Sequence, residues 1–463
     1  MQKNVESAQR LNFASARRAC NGKVNIMRVQ LGQLYDLRYS LRVDQLCVGE
    51  VLMPLERLEP AHLKVAIEYL LNKYSVLRAR FVGSGMDMKM DFVPPGSELL
   101  HQAFEVREQT DSQCDRRRLI SNYIAEVRAA MNLANPPLLR YCLFDGNCAR
   151  DQRLVLIFNR LVCDGISSRI LWRDLSKAYR MSVSGQPLAF EHAANYEQFC
   201  AELYERHRQI VKAVIPDDEQ QVEQPTLNIL GGRSVESLPI SRLSEAVTEV
   251  RQLDGEALNR IRLLAKRHRV SIADLLLGSW LKALAAVFGK GSLNMLLWVS
   301  PHFVGYWETS VASLVGSVSF PIKVKFNIDP EPSLDSTLQH AVQEFNNTME
   351  RAADYAATYF VPNSIFGWLE LPAISFNFVG DQRRSANVIG YELSPEKIRI
   401  GKPDDEAQEI PLSMDIEIYA DTMEVTISSR PDCHLQILPP RLMDLWLEMI
   451  GEIGIEQPFF SGY

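Results

Sequence analysis

Phe158-Asn159-Arg160-Leu161-Val162-Cys163-Asp164-Gly165-Ile166-Ser167 is the stretch on which the reading of this chain turns. The apolar run at 154–158 has the length of a buried strand, and residues 166–179 behind it have helical spacing. The ten residues are therefore expected on a strand-to-helix turn, with Gly165 permitting a tight bend. Arg160 stands in the middle of that turn. Its guanidinium stays protonated at any physiological pH, so it cannot accept a proton as a histidine near neutrality can.

At 463 residues the chain is too long for one small core, and two or three domains are expected. With 46% apolar and 23% charged residues it has the composition of a folded globular protein, not a disordered one. A formal net charge of -7 gives no electrostatic footprint for nucleic acid, and the Arg116-Arg117-Arg118 triplet reads as a solvated helix face. The eight cysteines stand singly, without a CxxC pair or a histidine cluster at metal-ligand spacing. Free, mostly buried thiols and no bound metal are expected. The first residues lack the apolar core of a signal peptide, and the most apolar helical stretch, 272–288, is interrupted by Asp274 and Lys282. These features predict a cytoplasmic protein with no membrane span.

Working outward from the turn, three parts are expected: an N-terminal lobe over 1–183, a connecting helix and polar linker over 184–240, and a C-terminal lobe over 241–463. Between 216 and 241 there is little periodicity. Residues 258–288 then carry apolar side chains at helical spacing, among them Leu263, Leu264, Ile272, Leu275, Leu276 and Leu284. Strands are expected at 293–299, 317–326, 373–379, 414–419 and 423–428, with a closing amphipathic helix at 440–453. This order lacks the regular βαβ repeats of a doubly wound sheet, so two α/β lobes fit better.

The turn resembles the active-site signature HHxxxDGxS with both histidines replaced, and further motifs follow in matching order. Ser7-Ala8-Gln9-Arg10-Leu11 is similar to an opening SxAQxRL, and Arg78 and Phe81, after Lys73-Tyr74-Ser75-Val76-Leu77, to the end of RHxxLRxxF. Asn195-Tyr196-Glu197-Gln198-Phe199 resembles YxDF, and Leu264-Ala265-Lys266-Arg267-His268-Arg269-Val270-Ser271 resembles lAkkxgvT. Val315-Gly316-Ser317-Val318-Ser319-Phe320-Pro321 stands in the place of VGxFVNxxP, and Phe376-Asn377-Phe378-Val379-Gly380 is close to FNYLG. Together these make the chain similar to the condensation-domain superfamily of nonribosomal peptide synthetases. The resemblance implies two chloramphenicol-acetyltransferase-like lobes in a V, with a central tunnel in which an amine meets a thioester. Two departures matter. The EGHGRE loop of epimerization domains is replaced by Trp298-Val299-Ser300-Pro301-His302, and Asn159, Asp164 and Ser167 resemble DxxxxDxxS of heterocyclization domains with an amide first. An arginine at the second histidine position is also found in relatives that recruit an oxygenase without condensing anything.

On this resemblance the candidate catalytic residues are Arg160, Asn159, Asp164 and Gly165, with Ser167, His302, Ser317 and Asn377 in the substrate tunnel. Arg160 either stabilises a thioester oxyanion or serves as an ion-pair strut between lobes. Asp164 orients the turn through an ion pair. His302 is either an ordinary satisfied histidine or a substitute base. Leu230-Gly231-Gly232-Arg233-Ser234-Val235 mimics the phosphopantetheine site of a carrier, but its place in a linker makes that a coincidence. The expected function is a freestanding condensation-type acyltransferase, joining a carrier-tethered acyl or peptidyl thioester to an amine or alcohol in nonribosomal peptide or hybrid polyketide biosynthesis. The alternative is a non-catalytic scaffold that recruits a tailoring enzyme such as an oxygenase. Its partners would be acyl or peptidyl carrier proteins, which present the phosphopantetheine; no cofactor bound by this chain, no nucleic acid and no membrane are implied.

Overall fold

The structure is a computed structural model, and it describes residues 24–25, 43–83, 89–108, 113–188, 196–212, 227–238, 241–303, 306–360, 372–381, 391–396, 398, 400, 408, 410–419, 422–431 and 434–451. The Ser7–Leu11 motif, Asn195, Cys20, Cys433 and most of the early linker lie outside these residues. Two large mixed sheets form the frame.

In the first sheet the central strand is β7 (Arg153–Asn159), flanked by β2 (Cys47–Pro54) and β6 (Leu139–Asp145), with β5 (Phe104–Glu108) at one edge. Every position of β7 is buried, as a continuous apolar run of this length requires. Gly49 is needed where β2 crosses β7, because a Cβ there would lie 1.9 Å from the Leu156 carbonyl oxygen. From β7 the chain turns into α3 (Gly165–Val183), which buries Leu171, Trp172, Leu175 and Ala178 and packs on α1 (Pro60–Lys73). Helix α2 (Gln113–Ala130) packs its Tyr123 edge-on against Phe144 of β6. A small third sheet joins β1 (Val24–Asn25), β4 (Lys89–Phe92) and β3 (Ala79–Val82).

The second sheet runs β10 (Phe320–Ile328), β9 (Gly291–Val299), β11 (Ile374–Asp381), β13 (Leu412–Tyr419), β14 (Thr422–Ser429), β8 (Val247–Leu253). Strand β11 is parallel to both neighbours and the remaining pairs are antiparallel. The expected helical stretch at 258–288 is two helices, α5 (Gly255–His268) and α6 (Ile272–Phe288), bent by 91°. The break is written locally: Arg269 takes the left-handed conformation at φ 59°, and Ser271 and Asp274 form a reciprocal N-terminal cap on α6. Leu263, counted as apolar spacing, is exposed on α5. Helices α7 (Leu334–Met349), α8 (Ala352–Phe360) and α9 (Leu438–Met449) complete this lobe, and α4 (Tyr196–Lys212) packs against α8.

The expected boundary between lobes needs one correction. Strand β12 (Tyr391–Leu393) lies inside the segment assigned to the C-terminal lobe, yet it pairs with β2 as the edge of the first sheet. The Gly49 amide donates to the Ile400 carbonyl, which extends the contact. Edge strands seek unmade ladder bonds, and β2 offered them. Glu396 anchors this crossover: Arg153 holds its carboxylate through Nε at 2.6 Å and a second nitrogen at 2.8 Å, both side chains being inaccessible. Part of the linker is also less polar in place than in sequence, since Ile229, Leu230 and Val235 are buried.

Candidate active site

Asp164 caps α3, its Oδ1 accepting from the Ser167 amide at 2.8 Å. Its other oxygen crosses to the second lobe. Oδ2 accepts from the amides of Val318 and Ser319, at 3.1 and 2.8 Å, and from the Ser319 hydroxyl at 2.7 Å. Ser167 repeats the crossing, its buried Oγ donating to the Gly316 carbonyl at 2.8 Å and accepting from the Gly316 amide at 3.0 Å. Gly316 is required there, because a Cβ would lie 2.4 Å from the Tyr196 ring. The ion pair expected at Asp164 is thus replaced by uncharged donors of the opposite lobe. The latch also explains why the strand expected from 317 begins only at Phe320: the amides before it serve Asp164 and not a ladder.

The other expected site residues fall into different roles. Asn159 is fully buried and its amide is consumed structurally, donating to the Val43 and Asp44 carbonyls at 2.9 and 3.1 Å and accepting from the Leu161 amide at 2.9 Å. It is a bracket for the turn, not a reactive group. Gly165 does not have the positive φ that a glycine-dependent bend would need, and a Cβ there would meet nothing within 4 Å. Its lack of a side chain instead leaves the start of α3 open. Arg160 is half-buried and its backbone amide donates to the Leu46 carbonyl. Ser317 is buried within the latch segment. His302 has both ring nitrogens engaged, Nδ1 2.7 Å from the Ser300 hydroxyl and Nε2 2.9 Å from the Leu314 carbonyl oxygen. A carbonyl only accepts, so Nε2 carries the proton and Nδ1 accepts from Ser300. That is the ordinary satisfied histidine. Asn377 donates to Asp415 at 3.0 Å, across β11 and β13.

Sequence reading missed the groups beneath the start of α3. Glu50, on β2, accepts from the Trp172 indole at 2.7 Å and lies 3.3 Å from the Ser168 hydroxyl. Burial pushes its carboxyl above the ordinary 4.5, against the opposing pull of Trp172, Arg169 and Ser168. Arg169 reaches across the lobes and donates to the Val379 carbonyl of β11. The available signal was an acid inside an otherwise apolar strand, Cys47–Pro54. Among the described residues no group of His, Cys, Asp and Glu side chains could hold a metal ion, and no single helix is long and apolar enough to cross a membrane.

Comparison with known proteins agrees with this architecture. Residues 50–295, more than half of the chain, match the family model described as Condensation domain, and the chain belongs to that family. It is 23% identical over 344 residues, 72% of its length, to one of the linear gramicidin synthase proteins of Brevibacillus parabrevis, and spans only 6% of that protein. It is 24% identical over 307 residues to one of the plipastatin synthase proteins of Bacillus subtilis, covering 60% of this chain and 8% of that one. Among solved structures, the epimerization domain from the third module of tyrocidine synthetase B superposes with a TM-score of 0.71 at 15% identity, over 93% of this chain and 96% of that one. The condensation domain from the monacolin K polyketide synthase gives 0.67 at 13% identity, covering 93% and 97%. The two-lobed, chloramphenicol-acetyltransferase-like α/β fold is thereby established.

Proposed function

We propose that this protein is a condensation-type acyltransferase that joins an acyl or peptidyl thioester, tethered to a carrier protein, to an amine or alcohol. The observation that carries the reading is the retained turn: Asp164 and Ser167 pin it to the opposite lobe, and Gly165 leaves the start of α3 open. Family membership supports carrier-bound substrates, and the phosphopantetheine arm would arrive with the partner. Positioning alone can contribute on the order of 7 kcal/mol toward such a step when two reactants are held in line. Arg160 would face the developing oxyanion as a fixed charged donor.

One observation favours the scaffold reading instead. Asn159 is spent on backbone groups and Arg160 cannot accept a proton, so neither former histidine position offers a base. Mass spectrometry with donor and acceptor carriers both loaded separates the two. A new amide or ester on the acceptor supports the acyltransferase. Carrier binding without any product supports a scaffold that recruits a tailoring enzyme.

A further inference from the structure

The groups under α3 supply what the turn itself lacks. Glu50 and Tyr141 both stand opposite Leu156 on β7, so the three share one face of the first sheet, the face on which Trp172 of α3 meets both Glu50 and Tyr141. Glu50 keeps a partly accessible surface. Ser168 links it to the signature turn, its hydroxyl lying 3.0 Å from the Gly165 carbonyl oxygen and 3.3 Å from Glu50. That hydroxyl has one proton. When it points to Gly165, a hydrogen bond to Glu50 exists only if the carboxyl is protonated and donates; when Glu50 is ionised, the hydroxyl turns back to it. The carboxyl is therefore served in both protonation states at the cost of one hydroxyl rotation. The Tyr141 hydroxyl on the same face is buried without a hydrogen-bond partner among the described residues. The charged and titratable groups acting with Glu50 are Arg169 on α3, Tyr141 on β6 and Cys163 in the turn.

We propose that Glu50 is the proton acceptor of the condensation, acting beside the signature turn whose histidines are absent. This rests on the acyltransferase reading above. The incoming amine nitrogen attacks the thioester carbonyl carbon and forms the new C–N bond, while Glu50 takes one N–H proton. The C–S bond then breaks, and the departing pantetheine sulfur recovers that proton from Glu50. The products are an amide and a free thiol, and no further reactant is consumed. A carboxyl held above its usual range by burial suits a base working near neutrality.

The test uses the full chain with both loaded carriers in single-turnover assays across pH. Glu50→Gln keeps the shape and an acceptor for Trp172, and it is expected to slow product formation by roughly 10² or more, within the range attributed to positioned bases. The wild-type acid limb in rate should disappear in this variant, while carrier binding holds and its melting temperature does not fall below that of wild type. Glu50→Ala should regain part of the lost rate with added formate, a rescue that a merely misfolded variant cannot show. Glu50→Gln turning over within about threefold of wild type with the same acid limb overturns the assignment and leaves the acyltransferase intact. Absence of product from the wild-type protein removes the acyltransferase and this assignment together.

Discussion

At the signature turn the lobes meet through neutral donors gathered on a helix-capping carboxylate, Asp164 with Val318 and Ser319, whereas at the crossover they meet through charge, Glu396 with Arg153. The first junction depends on shape, since backbone amides and one hydroxyl can be offered by many sequences. The second depends on two particular side chains that are both inaccessible. A buried pair that loses one member leaves an uncompensated charge, but a lost hydrogen bond to a helix cap is cheaper. Rigidity is thus concentrated at the crossover. The turn is held to the opposite lobe by Asp164 and Ser167, and Asn159 braces it from within its own lobe.

The largest expected effect tests the crossover. Glu396→Ala should cost about 3–5 kcal/mol in denaturant unfolding, because Arg153 would be left buried without its counter-charge. Replacing both by Leu and Met should cost much less, and equal losses for single and double variants would mean that the pair is not the anchor. Its pH signature is fixed in sign. Burial would raise Glu396, but hydrogen bonds from Arg153 and Ser394 overcome it and hold the carboxyl below its ordinary 4.5. The stabilisation is present above that value and is lost as pH falls through the depressed pKa. Glu50 has the opposite sign: its carboxyl is raised, so its stabilising contribution is complete below 4.5 and is lost as pH rises through the elevated pKa. Melting curves of Glu396→Gln and Glu50→Gln against pH should therefore deviate from wild type on opposite sides.

Next comes Arg160, whose two roles belong to different halves of the comparison. As an oxyanion donor, Arg160→Ala lowers turnover by roughly 10² without a melting shift, and Arg160→Lys does not restore it fully. A melting shift with unchanged turnover per folded molecule would place Arg160 in the junction. Asp164→Ala should cost about 2 kcal/mol, combining a lost helix cap with the bonds to Ser319 and Val318. A loss approaching that of Glu396→Ala would erase the distinction between the two junctions. The smallest effect lies away from both: Arg269→Gly should stabilise by about 1 kcal/mol by relieving a left-handed side-chain residue, detectable as a raised denaturation midpoint.

What the sequence made legible was local and ordered. The apolar run 154–158, the helix start after Asp164 and the strands near 293–299 and 422–429 are written in spacing and caps, and they appear with shifts of a few residues. The helix break at Arg269 was less visible, because only a lone left-handed residue and the Ser271 cap interrupt continuous apolar spacing. Long-range exchanges left no such mark. Nothing near Tyr391 announces that it will pair with Pro54, since an edge is a property of the assembled sheet. The site divides in the same way. Asp164 and Ser167 stood out in the signature, but the groups that meet them, the Gly316 backbone, the Val318 and Ser319 amides and the Ser319 hydroxyl, lie some 150 residues away, and the ion pair expected at Asp164 gave no hint of them. Glu50 escaped because its meaning comes from Ser168 and Trp172 closing over it.

The β12 crossover also orders events in time. A ribosome releases the first sheet's strands β2, β5, β6 and β7 long before residues 391–396 emerge, so during that interval β2 presents an open edge of unpaired amides and carbonyls, and Arg153 waits without its counter-charge. The first lobe is the earlier to be made and the later to be finished. Its completion waits on residues 391–396, so a chain broken off after the first lobe carries an adhesive edge, and the two halves cannot be regarded as separately foldable parts.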